Sequence, residues 1–147
     1  MKRIVNRKAS FKYQLFDRLE AGIVLTGSEV KSIKSGRMSL GDAFVRIKDG
    51  ELFLINAQVP LYQASRIGGY NPSRQRKLLV HKREILGWQK KAEAKNYTIV
   101  PTVVYSHKNQ IKIEIALAKG KRQYEKKESI KRKDLQREAE RVLKNFK

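Results

Sequence analysis

The sequence predicts a β-rich domain: an OB-type barrel of about six strands with two or three flanking helices, followed by a basic tail. Three observations predict it. Apolar residues alternate in several short runs, an Asp-Gly turn joins two of them, and one strand passes directly into a capped helix. A closed or nearly closed barrel removes exposed strand edges best; a mixed sheet with helices on one face is the second solution.

Residues 1–10 are basic and weakly patterned. From Phe11 the odd positions are apolar (Tyr13, Leu15, Leu19, Ala21, Ile23 and Leu25), broken only at Asp17. This reads as one long bent strand, or two strands with a bulge near Asp17. The period then changes. Thr26-Gly27-Ser28-Glu29 has the T-x-x-E form of a capping box, in which hydroxyl and carboxylate each accept the other residue's backbone N–H. Val30 and Ile33 give a helix over about 28–35 its apolar side, Lys31 and Lys34 its wet side, and Gly36 can stop it in the left-handed conformation.

Ala43, Val45 and Ile47 alternate, Asp49-Gly50 turns, and Leu52 to Ile55 return: a hairpin with a type I′ signature. Residues 61–77 form an exposed loop punctuated by Gly68-Gly69 and Asn71-Pro72. There Arg66, Arg74, Arg76 and Lys77 crowd around Tyr62 and Tyr70. A solvated loop is the plain account, and a clamp on a nucleic-acid backbone the functional one, favoured by the overall charge. Leu78 to Val80 is a short strand. A helix follows over about 82–95, with Ile85, Trp88 and Ala92 on one face. Gly87 weakens it by ~1 kcal/mol relative to Ala, and Asn96 is its αL stop. Tyr97 to Tyr105 is a strand in which Pro101 calls for an edge or a bulge. After a turn at His107-Lys108-Asn109, Ile111, Ile113, Ile115 and Leu117 alternate inward, with Lys112, Glu114 and Ala116 outward.

The composition shifts after Ala118, dividing the chain into a barrel at 1–118 and a tail at 119–147. Residues 120–147 carry eleven Lys or Arg against five Asp or Glu, and before Leu135 almost nothing there can be buried. The early tail is therefore expected to be disordered alone. Leu135, Ala139, Val142 and Phe146 then lie on one narrow helical stripe, suited to folding on a polyanion.

Lys and Arg number 34 against 14 Asp and Glu, a formal charge of +20. Such charge favours a polyanionic partner, because each neutralised phosphate releases condensed counterions. Nucleic acid leads, and an anionic membrane surface is second. No apolar run approaches the ~18 residues of a bilayer span, and the start, MKRIVNRKAS, lacks the apolar region of a signal peptide. Cysteine is absent, which excludes thiolate metal sites, disulfides and a cysteine nucleophile and fits a cytoplasmic chain.

No catalytic constellation emerges. His81 and His107 have no pattern tying them to a carboxylate, and no phosphate loop, dinucleotide fingerprint, H-E-x-x-H or nucleophile elbow is present. No cofactor or metal is called for. Glu20 stands out as an acid on the outward side of a strand in a very basic protein. It is either the partner of a neighbouring Lys or a selective acceptor for a base N–H or a ribose 2′-hydroxyl.

The residues Asn6-Arg7-Lys8-Ala9, EAGIVLTGSEVKS at 20–32, RKLLVHKREI at 76–85 and Ala118-Lys119-Gly120-Lys121 resemble the SsrA-binding protein family, also called small protein B, the bacterial partner of transfer-messenger RNA. The likeness covers nearly the whole chain, and E-A-G-I-V-L-x-G-x-E-V-K-S is highly specific. It implies an OB-type barrel and a role in trans-translation, the rescue of ribosomes stalled on messages without a usable stop codon. Asn6, Glu20, Leu79 and Lys112 are the positions expected against the tRNA-like domain of that RNA. Lys8 and Lys31 join them from the matching stretches, and Arg74, Arg76, Lys77 and Lys119 are expected phosphate contacts on grounds of charge. The resemblance further implies a tail that enters the decoding centre and the empty message channel of the small subunit and becomes helical there. Lys121, Arg122, Tyr124, Lys126, Lys127, Lys131 and Arg132 are the residues expected in that role. Delivery with elongation factor Tu, a monomeric state and no membrane partner complete the implied picture.

Three places depart from the family pattern: Phe11-Lys12 before Tyr13, Asn96 where Gly is frequent, and Glu125-Lys126-Lys127 in place of Asp-Lys-Arg. The last gives up the planar, bidentate fork of Arg, although Tyr124 beside it can still stack on a base. A structural ribosomal protein and an RNA-modifying or RNA-cleaving enzyme are the competing readings. The E-A-G motif opposes the first, and the missing catalytic constellation opposes the second.

Overall fold

The computed structural model describes residues 1–62 and 68–121. In chain order the elements are β1 (Ile4–Val5), α1 (Arg7–Lys12), β2 (Tyr13–Ile23), α2 (Gly27–Lys34), β3 (Phe44–Lys48), β4 (Glu51–Ile55), β5 (Arg76–Leu79), α3 (Lys82–Lys95), β6 (Thr98–His107) and β7 (Gln110–Gly120). All pairings are antiparallel. The sheet runs β6–β3–β4–β5–β2–β7 and closes from β7 back to β6, with β1 added outside on β6. The expected closed barrel is therefore present, and the mixed-sheet alternative is not. Arg66 and every expected tail residue after Lys121 lie outside the described residues.

Most local expectations hold for the reasons that suggested them. Asp49 and Gly50 both take positive φ (53° and 73°), as a type I′ hairpin requires, and Lys48 pairs with Glu51 around them. Lys108 and Asn109 do the same (49° and 63°) between β6 and β7. Asn96 ends α3 in the left-handed region, and the N–H of Asn96 donates to Ala92 O. Pro101 sits at a register shift in β6. Ile113, Ile115, Leu117, Leu52, Leu54, Leu78, Ala21 and Val104 fill the barrel, with Ile33 of α2 and Ile85 and Trp88 of α3 packed against them.

Two expectations are corrected. Residues 1–12 are not featureless, and Phe11 belongs to α1 rather than to a strand. Ala9 packs on Val100 of β6 and Ala118 of β7, outside the barrel, and partly buried Tyr13 and Leu15 join them. Ala116 is on the outward side of β7 as expected, and Ala118 follows it there, yet both are fully buried. The second correction concerns the apolar odd positions of β2. A register shift lies between Leu15 and Arg18. Before it Tyr13 and Leu15 face the outer cluster under α1; after it Leu19, Ala21 and Ile23 face the main core, which Phe16 also joins by stacking on Tyr97 at 4.7 Å. The extra residue changes which face the odd positions occupy.

Glu29 does more than cap α2. The capping box is complete: Thr26 N–H donates to Glu29 Oε1 (2.9 Å), and Glu29 N–H donates to the Thr26 hydroxyl (3.3 Å). The same carboxylate also receives Arg74, on Oε1, and Arg76, whose Nε and Nη2 both lie 2.6 Å from Oε2. Glu29 and Arg76 are completely buried. The rest of the Arg76 fork donates to the carbonyls of Ala57, Arg74 and Pro72 at 3.2, 2.8 and 3.0 Å. Burial alone would raise the Glu29 pKa. The Arg74 hydrogen bond, the Thr26 N–H and the Arg76 charge overcome it and leave the pKa below the ordinary 4.5.

A buried charge pair that loses one partner leaves the other uncompensated, so Glu29→Gln is expected to lower unfolding free energy by about 3–5 kcal/mol in urea titrations at neutral pH. Because the folded-state pKa is depressed, the carboxylate's contribution is fully present above 4.5 and is lost as pH falls through the lower folded value. The gap between wild type and the variant therefore narrows in acid.

Candidate nucleic-acid interface

β2 lies between β5 and β7, and this order assembles the main surface site. Gly22 pairs with Leu79 on one side and with Lys112 on the other. Glu20, one pleat earlier on the same face, pairs with Glu114. Together with Leu19, Val80, His81 and Glu84, the residues Glu20, Gly22, Leu79 and Lys112 line an open depression of ≈ 510 Å³. Gly22 is the floor: a Cβ there would stand 3.3 Å from the Leu79 Cβ, tighter than ordinary contact. The glycine of the E-A-G motif thus lets Leu79 lie over the strand, where it stays 54% exposed although large and apolar. An exposed leucine beside an acid and an ammonium offers a nucleic acid an apolar contact, an acceptor and a cation within one patch.

The electrostatics around Glu20 are unusual for so basic a chain. Glu114, opposite it, is engaged elsewhere, with Arg18 at 3.1 Å and with the Thr102 hydroxyl. No Lys or Arg among the described residues forms an ion pair with Glu20. Its partner is the phenol of Tyr105, which donates to Oε2. Tyr105 stands opposite Lys112 on β6, so its ring reaches across β7 to β2. Burial, the Glu20 hydrogen bond and the charges of Glu20 and Glu114 push the phenol up to about 12, with Arg3 acting the other way.

Three of the four positions expected from the resemblance are therefore neighbours: Glu20, Leu79 and Lys112. Asn6 is not. It is buried, and its amide donates to Leu40 O (3.1 Å) and Pro101 O (2.8 Å), pinning β1 and α1 to the barrel. Both amide hydrogens are used, so Asn6 has no donor left for RNA. Arg76 is also corrected: a guanidinium with no exposure, bonded to Glu29, does not meet a phosphate. Arg74 is partly exposed but shares that carboxylate. Lys77 pairs with Glu51 at 3.0 Å in a half-exposed bridge that a phosphate can replace. Lys8, Lys31 and Lys119 are exposed, Lys31 with its ammonium 5.7 Å from the Tyr62 ring centre. Lys121 is held at the barrel, where its backbone N–H donates to Lys12 O and its ammonium to Ser10 O, both at 2.9 Å. Sequence reasoning missed Tyr105 and the Arg18–Glu114 pair. Their only signal is an outward position on a strand; the contacts depend on register across three strands.

The fold and this patch define a class: a small, strongly basic closed barrel with one mixed acidic, apolar and cationic surface site. The comparisons make it specific. The family model described as SmpB protein matches residues 3–145. An SsrA-binding protein of Sulfurihydrogenibium sp. (strain YO3AOP1) is 50% identical over 139 residues, which cover 95% of this chain and 91% of that one. Its counterpart in Aquifex aeolicus (strain VF5) is 46% identical over 140 residues, covering 95% and 89%. A solved structure described as "tmRNA-SmpB: a journey to the center of the bacterial ribosome" matches with a TM-score of 0.70 at 36% identity, covering 88% of this chain and 95% of that one. The chain belongs to the SmpB family.

Near-ultraviolet titration of the phenols is expected to show one group ionising at about 12 that is absent from Tyr105→Phe and moves to lower pH in Glu20→Gln. Since the folded value lies above the ordinary 10.0, the protonated phenol's contribution to stability is intact below 10.0 and is lost as pH rises through about 12.

Proposed function

We propose that this chain is an RNA-binding protein, not an enzyme, that binds transfer-messenger RNA and acts with it on stalled ribosomes in trans-translation. The observation that carries the reading is the convergence of Glu20, Gly22, Leu79 and Lys112 on one depression, in a chain matched from residue 3 to residue 145 by the SmpB family. The relatives are named for binding SsrA RNA, and the structural neighbour is a tmRNA–SmpB system on the bacterial ribosome. The net charge of +20 supplies sequence-independent attraction. The depression supplies discrimination, since a carboxylate repels phosphate yet accepts a base N–H or a 2′-hydroxyl. Lys8, Lys31, Lys77 and Lys119 serve the backbone as exposed or replaceable cations.

In the finer reading, the tRNA-like domain occupies the β2–β5–β7 face, and the segment after Gly120 stands in for codon–anticodon pairing in the decoding centre and message channel. Lys121 through Arg132 supply that segment's charge. The protein works as a cytoplasmic monomer whose alanyl-RNA complex is delivered with elongation factor Tu. The basic, apolar-poor composition of residues 120–134 supports a segment that orders on RNA.

Two variants test the reading. Glu20→Ala is expected to weaken binding to transfer-messenger RNA by roughly 10- to 100-fold while leaving binding to bulk tRNA nearly unchanged, as loss of a specific charged hydrogen bond would; equal weakening of both contradicts it. Truncation after Gly120 is expected to leave RNA affinity largely intact and to abolish peptide tagging on stalled ribosomes in a reconstituted translation reaction. A loss of RNA affinity as large as the loss of tagging would show that the tail is not a separate module.

A further inference from the structure

We infer that Tyr105 is a positioning residue for RNA discrimination: its hydroxyl holds the Glu20 carboxylate in one orientation, leaving the other oxygen to face the RNA. The inference rests on the reading of Glu20 as a selective acceptor. An exposed glutamate on a strand samples several rotamers and loses that freedom on binding. Here three features remove it beforehand. Tyr105 donates to Oε2. Glu114, directly opposite, repels a second carboxylate on its own side. The competing cation Arg18 and the competing donor Thr102 are both taken by Glu114.

The chemistry of the donor matters. A lysine or arginine in place of Tyr105 would orient Glu20 but neutralise it, and the patch would then attract any phosphate. A neutral hydroxyl orients the carboxylate and leaves its charge. It also remains a donor well into alkaline conditions, because a phenolate beside Glu20 and Glu114 is disfavoured. Lys112, opposite Tyr105 and beside Gly22, has no ion pair among the described residues and is free for a phosphate next to the acceptor. The patch thus keeps acid and base apart by geometry, the acid fixed by a neutral group and the base without an ion pair among the described residues.

A double-mutant cycle on the full chain tests this. Wild type, Tyr105→Phe, Glu20→Ala and the double variant are titrated with labelled transfer-messenger RNA and, separately, with bulk tRNA, after thermal melts establish that all four fold alike. Tyr105→Phe is expected to lose roughly 5- to 10-fold in affinity for transfer-messenger RNA and nothing for bulk tRNA, and to add no further loss once Glu20 is Ala, the signature of two residues acting as one unit. A Phe variant that binds as wild type overturns the inference and leaves the Glu20 reading intact. A loss that persists undiminished in the Glu20→Ala background also overturns it, since Tyr105 would then touch RNA itself. If Glu20→Ala alone leaves discrimination unchanged, the underlying reading fails and this inference with it. Should Tyr105→Phe melt lower than wild type, carboxylate-observed NMR of Glu20 in Tyr105→Phe and wild type gives the second readout: unchanged shifts overturn the positioning role and altered shifts support it.

Discussion

One buried carboxylate fixes the geometry on which the surface site depends. Glu29 caps α2 through Thr26, receives Arg74, and neutralises an Arg76 guanidinium that has no exposure. Arg76 opens β5, and its remaining N–H groups hold the carbonyls of Ala57, Pro72 and Arg74. The pair therefore ties the end of β2, the start of α2 and the entry to β5 into one corner. Once β5 is anchored there, Leu78 and Leu79 fall opposite Ile23 and Gly22. The exposed leucine, the acid of β2 and the cation of β7 become neighbours as a consequence. Such a pair contributes less to net stability than its short contacts suggest, because both ions are desolvated. The register it accompanies is the one that sets Leu79 beside Gly22, with Arg76 neutralised at the start of the strand.

The sequence made the corner half legible. The T-x-x-E box is a local pattern, and the local pattern accounts for Glu29 completely, so nothing in the chain invites a second partner 47 residues away. Arg76 sits in a loop-like basic run and was expected at the surface on charge. Three charges crowded into 74–77 cannot be ranked for burial without knowing where the acid is. The same limit applies at the N-terminus. Arg7–Lys12 has too few apolar residues to show a period, and α1 exists because Ala9 meets Val100 and Ala118, contacts roughly a hundred residues away. In β2 the bulge was legible at Asp17, but its effect on facing was not: one extra residue moves Tyr13 and Leu15 onto a different cluster from Leu19 and Ala21.

The hairpins, the helix limits of α3 and the inward face of β7 were read correctly because turn chemistry and period decide them locally. The site was read differently. Glu20 was conspicuous by charge alone, whereas Leu79 and Lys112 entered through family resemblance, and their adjacency follows from the strand order. Asn6, the fourth position from the resemblance, stands apart from that patch. It is built into the fold, with both amide hydrogens given to backbone carbonyls, so substitutions there act through stability before they act through recognition.

The central claim is that shape and chemistry at the β2–β5–β7 depression, rather than total charge, select the RNA. Competition binding at two salt concentrations tests it most directly: labelled transfer-messenger RNA bound to the full chain, challenged with excess tRNA and with excess ribosomal RNA fragments. The account predicts that the complex survives both competitors and keeps its advantage at the higher salt, because the discriminating contacts release few counterions. Dissolution of the complex to the same degree by every competitor, and more so at the higher salt, would contradict it and leave the +20 charge as the whole of the binding.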